Sequence, residues 1–210
     1  MKALVSALAL AGLLLAAALP SYSAPAADIV VNVDAREISR SLLHARIELP
    51  AAAGEFVVWY PKWIPGVHAP AGPSENIAGL RFETPQGESI PWRRDDEEVN
   101  RFILTVPTGA NRVVAKLDYI CNQPSVNSSG VDSFGNTLIG VINWNTVLLY
   151  PETAHIDQMG ASVNLQLPDR WRFGTALKVQ GQSPTGVQFA PDTLRRVVAV
   201  SYTHLTLPTN

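Results

Sequence analysis

Three histidines, His44, His68 and His155, are the residues best suited to hold a metal ion or move a proton, and a fourth, His204, lies near the carboxyl end. Zinc peptidase chemistry of the H-E-x-x-H type needs two His one helical turn apart, so that both imidazoles face one ion with a Glu as base. None of the four has a His four residues away. A G-x-S-x-G nucleophile elbow, a P-loop and a G-x-G-x-x-G turn are also absent. The run Asp95-Asp96-Glu97-Glu98 lacks the alternating oxygen ligands and central Gly of a calcium loop. It reads as a solvated turn balanced by Arg93 and Arg94. His155 and Asp157 read as a surface pair on a loop. No catalytic, cofactor-binding or metal-ligating set is legible, so either the protein binds rather than reacts or the reacting part lies downstream.

The elements that would position any site follow a period of two. Leu43, Ala45, Ile47 and Leu49 alternate with His44, Arg46 and Glu48; Phe102, Leu104 and Val106 alternate with Ile103 and Thr105; Val163, Leu165 and Leu167 alternate with Asn164 and Gln166. Such alternation marks half-buried strands. Pro85-Gln86-Gly87, Pro107-Thr108-Gly109 and Pro184-Thr185-Gly186 punctuate them, Pro presetting the entry and Gly closing the turn. Only Asp192 to Val198 suggests a turn of helix. The expected fold is all-β, an antiparallel β-sandwich of about ten short strands.

Both ends call for separate treatment. Lys2 precedes an Ala/Leu run from Ala3 to Leu19, followed by Pro20 and small residues, the order of a secretory signal peptide. Residues 1–26 are therefore expected to be removed after Ala26 or Ser23, leaving an exported, periplasmic or secreted protein with no membrane association. At the other end, VSYTHLTLPT, Val200 to Thr209, resembles the in-frame translation of a transposon-based sequencing adapter. Residues 200–210 are accordingly expected to be an artefactual tail without consistent packing, and the natural protein to continue past Ala199.

Residues 27–199 suffice for one sizeable domain. Loss of Lys2 takes the net charge from −2 to −3, and this mild, dispersed acidity argues against a nucleic-acid partner. Cys121 is the only cysteine, so no internal disulfide forms and Cys121 reads as a buried small hydrophobe.

The segment WYPKWIPGVHAPAGP, residues 59 to 73, holds too many breakers for a helix or sheet interior. Together with SENIAGLRF, IPWRRD, VINWNTVLLYP, LPDRWRFGTALKV and VQFAPDTLRRVV, it resembles the amino-terminal domain of the M61 glycyl aminopeptidase family over nearly all of Ala27 to Val198. The W-x-P-G core at Trp63, Pro65 and Gly66 is moderately specific alone, and strongly so when joined to the blocks at Asn143 to Pro151 and Phe173 to Leu177. Where many members read P-G-S-Y and then an Arg, this chain has Pro65-Gly66-Val67-His68, so no role of that Tyr or Arg is carried over. The resemblance implies an exported bacterial peptidase acting on peptides with a small amino-terminal residue. Its zinc and H-E-x-x-H helix would lie in a missing thermolysin-like catalytic domain, a partner in cis.

Two readings of the loop remain open. In one it is a structural corner, Pro65-Gly66 forming a type II turn with Trp63 as an apolar plug. In the other, Trp63, Pro65, Gly66 and His68 contact the catalytic domain and wall its cleft. Trp144 and Trp171 read as core. A rival function is a free-standing exported β-sandwich that binds sugar or peptide through exposed Trp59, Trp63 or Trp92.

Overall fold

The computed structural model describes residues 27–64, 67, 69–123, 131–199 and 202–207. The signal segment and the residues Pro65, Gly66 and His68 lie outside them. Among the described residues are sixteen strands. The first eight are β1 (Ala27–Asp34), β2 (Leu42–Pro50), β3 (Gly54–Trp59), β4 (Ile77–Glu83), β5 (Trp92–Arg94), β6 (Arg101–Val106), β7 (Arg112–Ile120) and β8 (Phe134–Gly135). The rest are β9 (Ile139–Asn143), β10 (Tyr150–Pro151), β11 (Gly160–Gln166), β12 (Arg172–Thr175), β13 (Val179–Ser183), β14 (Gly186–Phe189), β15 (Asp192–Thr193) and β16 (Tyr202–Thr206). Among the described residues a single α-helix, α1 (Leu194–Ala199), sits where one turn was expected. The all-β reading holds, but the strands exceed the expected ten, because pieces of two or three residues are too short to display a period.

The strands form three sheets. The large one runs β13-β14-β11-β1-β2-β7-β4, with β15 also paired to β11; the others run β10-β3-β6-β5 and β12-β16-β9-β8. One pairing departs from the antiparallel expectation: β1 and β11 are parallel, Val31 facing Val163 and Val33 facing Leu165. A parallel neighbour needs a long crossover rather than a hairpin, and the intervening chain, which carries the nine strands β2 to β10 of all three sheets, supplies it.

In β2 the alternation holds throughout, with Leu43, Ala45, Ile47 and Leu49 buried. Across the ladder Ala45 meets Val33 and Leu117, and Ile47 meets Val31 and Ala115, so one face of the large sheet is continuously apolar. Each fully buried Val, Leu or Ile there contributes about 1.5–3 kcal/mol. The same registers put Asn32, Arg46 and Lys116 on the opposite face. In β6, Ile103 is buried along with Phe102 and Leu104; it is covered on the face that a simple alternation would leave to water. Gly87 and Gly109 adopt φ of 91° and 89°, as the Pro-x-Gly turns require. Gly186 does not; Pro184-Thr185 form a two-residue link between paired Ser183 and Gly186.

The carboxyl-terminal segment differs from expectation. Tyr202–Thr206 lies between β9 and β12 and pairs antiparallel with both. Thr203 and Leu205 are fully buried while His204 and Thr206 face outward. Whatever its origin, a run of β-formers with period two satisfies two sheet edges and fills two inward positions, which is all that strand formation demands.

Candidate functional site

The proline-rich loop is anchored at its base. Tyr60 is fully buried; its main-chain N–H donates to the Asn100 carbonyl at 2.8 Å and its hydroxyl donates to the Thr146 carbonyl at 3.2 Å. Burial pushes the phenol well above its ordinary pKa, so it remains a neutral donor. Beyond it the two limbs close on each other. Trp63 bridges to Pro70, and the Gly72 N–H donates to the Lys62 carbonyl at 3.1 Å. A Cβ on Gly72 would fall 1.8 Å from the Pro61 carbonyl oxygen, so only Gly permits this approach.

The plug is not Trp63. Ile64 is 4% exposed and joins the buried residues, whereas Trp63 is 64% exposed. Successive residues of an extended limb point to opposite sides, and the smaller side chain is the one turned inward. The Val67 N–H donates to the Ile64 carbonyl at 3.0 Å, while the type II assignment for Pro65-Gly66 falls outside the described residues.

Lys62 pairs with Glu98, tying the loop to the acidic run. That run is a turn, but its cations are not Arg93 and Arg94. Asp95 accepts the main-chain N–H groups of Glu97 and Glu98 at 3.0 and 3.1 Å and pairs with Arg101 at 2.7 Å. The Glu97 N–H, then Arg101, hold its carboxyl below the usual carboxylate range. Arg94 lies over the Phe102 ring, 5.2 Å from its centre, because side chains on an edge strand follow the pleat rather than the nearest charge.

The Asn143-to-Pro151 block anchors the loop from beneath. Asn145 donates through Nδ2 to the Val131 carbonyl at 3.0 Å, the Asn143 N–H donates to Ser133 Oγ at 2.9 Å, and Thr146 Oγ1 donates to the Asn143 carbonyl at 2.7 Å. Trp144, 1% exposed, stacks edge-on to Phe189 at 5.8 Å, and Val147, Leu148 and Leu149 are fully buried. Thr146 then receives Tyr60. The sequence reading missed Tyr60 and Thr146 as the joint between the two blocks; a Tyr opening a proline loop is the only local signal. Trp171 is 9% exposed and, like Trp144, belongs to the core.

Of the three Trp residues considered as a stacking surface, two are engaged within the protein. Trp59 Nε1 donates to Glu152 at 3.2 Å, and Trp92 packs edge-on against Phe82 and Phe102 at 5.6 and 5.8 Å. Cys121 is 4% exposed, and burial pushes its thiol up to about 12, fitting an inert hydrophobe. Asp157 pairs with Arg195 of α1 at 2.8 Å rather than with His155. Among the described residues no three His, Cys, Asp or Glu converge as a metal ion requires, so they do not provide the donor set that a zinc ion needs.

On the outer face of the large sheet a groove of 720 Å³ is lined by Asn32, Arg46, Lys116 and Asn164 among others. At its margin His44 Nδ1 lies 2.7 Å from Asp118 and Nε2 lies 3.4 Å from Glu37. The Asp118 hydrogen bond, with Glu37 assisting and burial opposing, raises the His44 pKa above 6.5. A raised folded-state pKa gives stability that is full below the unfolded value and lost as pH rises through the folded one. Melting temperatures of the native protein and His44→Gln should therefore converge between about pH 5.5 and pH 8.5. An equal gap at both pH values would refute the coupling.

An all-β scaffold, whose distinctive sequence blocks anchor a projecting aromatic loop rather than assemble a reactive set, is the class of domain these features define. Residues 30–199 match the family described as Peptidase M61 N-terminal domain, and the chain belongs to that family. No curated protein matches it. Among solved structures it is similar to an aminopeptidase N family protein from Idiomarina loihiensis, with a TM-score of 0.67 and 20% identity over 84% of this chain. It is also similar to the M1 zinc metallopeptidase from Deinococcus radiodurans, with a TM-score of 0.51 and 8% identity over 87% of this chain. The chain spans 29% of the first and 42% of the second. At these identities the likeness is one of fold.

Proposed function

We propose that residues 27–199 form the non-catalytic front domain of an exported bacterial zinc aminopeptidase acting on peptides with a small amino-terminal residue. The zinc ligands, the general base and most of the substrate cleft would belong to a catalytic domain in cis. The observation that carries this is the family match over residues 30–199, supported by a chain that spans under half of the peptidase-type structures sharing its fold. Residues 200–210 belong in this proposal to an adapter-derived tail. Sequencing the uninterrupted gene tests it: an H-E-x-x-H motif is expected in the same frame within a few hundred residues. A stop codon directly behind residue 210 in the genome would sink it.

In the intact enzyme the loop is proposed to meet the catalytic domain, with Trp63 as its leading contact. An indole 64% exposed on a clamped loop is a large apolar surface whose ordering entropy has already been spent, the property of an interface anchor. Trp63→Ala in the full-length enzyme should leave the melting temperature within about 2 °C, as exposed substitutions do. It should also lower kcat/KM by roughly tenfold or more, as loss of an anchor contact does. A fall in stability with kcat/KM unchanged would instead make the loop a structural corner. The free-standing sugar or peptide binder has less support, since Trp59 and Trp92 are committed to Glu152 and to Phe82 and Phe102.

A further inference from the structure

The outer face of the large sheet carries polar side chains in one cross-strand row. Gln188, Asn164, Asn32, Arg46, Lys116 and Arg81 stand opposite one another in turn on β14, β11, β1, β2, β7 and β4, and all six line the 720 Å³ groove. Five strand spacings of about 4.8 Å make the row roughly 24 Å long. Its two halves differ in chemistry. On one side are three amides. Asn164 Nδ2 donates to Asn32 Oδ1 at 2.9 Å, which leaves the Asn32 Nδ2 protons and the Asn164 Oδ1 without a partner among the described residues. Gly181 of β13 stands opposite Gln188 and brings no side chain over this end. On the other side are three cations on neighbouring strands, where like charges repel. Lys116 and Arg81 share one carboxylate, Glu83, at 2.6 and 3.3 Å, while Arg46 shares Glu48 with Arg112. Four cations thus divide two carboxylates. The lining of the groove sets Arg36, Arg46, Arg81 and Lys116 against Asp34 and Asp118, an excess of two positive charges with His44 neutral.

We propose that this groove binds an acidic oligosaccharide, a 1,4-linked chain of uronic acid units laid across the strands. The charge excess calls for carboxylates, and the amides call for groups that both donate and accept, as sugar hydroxyls do. Spacing decides against an acidic peptide. An extended peptide presents the same face every second residue, about 6.6 Å, out of step with side chains one strand spacing apart. A 1,4-linked pyranose chain advances by close to one strand spacing per ring. The groove has no Trp, Tyr or Phe in its lining, so binding rests on charge and hydrogen bonds rather than on ring stacking, and a neutral sugar gains little there. The site is separate from Trp59, Trp63 and Trp92 and does not depend on a catalytic domain.

Calorimetric titration of the whole chain with hexagalacturonate at low salt should show one site. Maltohexaose, a neutral 1,4-linked chain of the same length, and hexaglutamate should each bind at least about tenfold more weakly, since each lacks one of the two kinds of group that the row pairs with. Arg81→Gln and Gln188→Ala, at opposite ends of the row, should each weaken hexagalacturonate by roughly fivefold, as loss of one hydrogen-bonding partner does. Arg93→Gln, on β5 of another sheet, should not. Arg81 and Gln188 are exposed, so both variants should keep the melting temperature within about 2 °C, and a loss of binding is then not a loss of fold. Equal affinity for hexaglutamate would make the face an acidic-peptide surface, and equal affinity for maltohexaose would remove the role of charge. A loss with Arg81→Gln but none with Gln188→Ala would leave a plain anion patch. Each of these overturns the proposal, as does an equal loss with Arg93→Gln or no binding at all.

Discussion

Gly72→Ala is expected to destabilise the domain by about 3 kcal/mol, the upper part of the range for overpacking a closed site. The added Cβ would sit 1.8 Å from the Pro61 carbonyl oxygen and 2.8 Å from its carbon. These are main-chain atoms, and Pro61 has little freedom to yield because its φ is fixed by the ring. Relief must therefore come from opening the neck of the loop, which breaks the Gly72 N–H to Lys62 carbonyl bond and withdraws Ile64 from the core. For a domain of this size the melting temperature should fall by roughly 6–12 °C. Calorimetry on the purified variant checks this, and a fall under about 2 °C would show that the loop is not clamped as described.

Trp144→Ala should cost about 3–5 kcal/mol, the usual loss for a large buried aromatic, with a melting temperature lower by roughly 10 °C. The indole is 1% exposed and packs edge-on to Phe189, which in turn packs on Phe173 at 6.3 Å. Trp144→Phe is the informative companion. Nε1 of Trp144 has no hydrogen-bond partner among the described residues, so replacing the indole by phenyl removes an unmet donor while keeping most of the apolar area. Its cost should be less than half that of the alanine variant in the same denaturant titration. Equal costs would mean that the indole nitrogen has a strong partner.

The Phe variant also bears on why this part of the chain is read so easily. The Asn143 and Asn145 side chains donate through Nδ2 to the main-chain carbonyls of Asp132 and Val131, and a buried main-chain group must find a partner of fixed geometry. Such duties tolerate few residue types, so they leave a recognisable block. The candidate site was less legible. That Trp63 faces outward while Ile64 is buried depends on which side of an irregular limb meets the core, and breakers such as Pro erase the periodicity that would reveal it. The partners of Asp95 and Glu98 were misassigned for a related reason. Arg93 and Arg94 are close in sequence, but Arg101 and Lys62 arrive from a hairpin partner and from the loop.

What the linear chain determined by itself was local: a period of two that makes strands, Pro-x-Gly breaks at three of the links between them, one terminal turn of helix, and a set of blocks that mark the family. These follow from steric preferences and side-chain alternation over a few residues. Tertiary structure alone decided the parallel pairing of β1 with β11, the joint between Tyr60 and Thr146, and the docking of Tyr202–Thr206 between two edges. Each joins groups far apart in sequence, and its free energy depends on geometry that exists only once the sheets have closed around a common core.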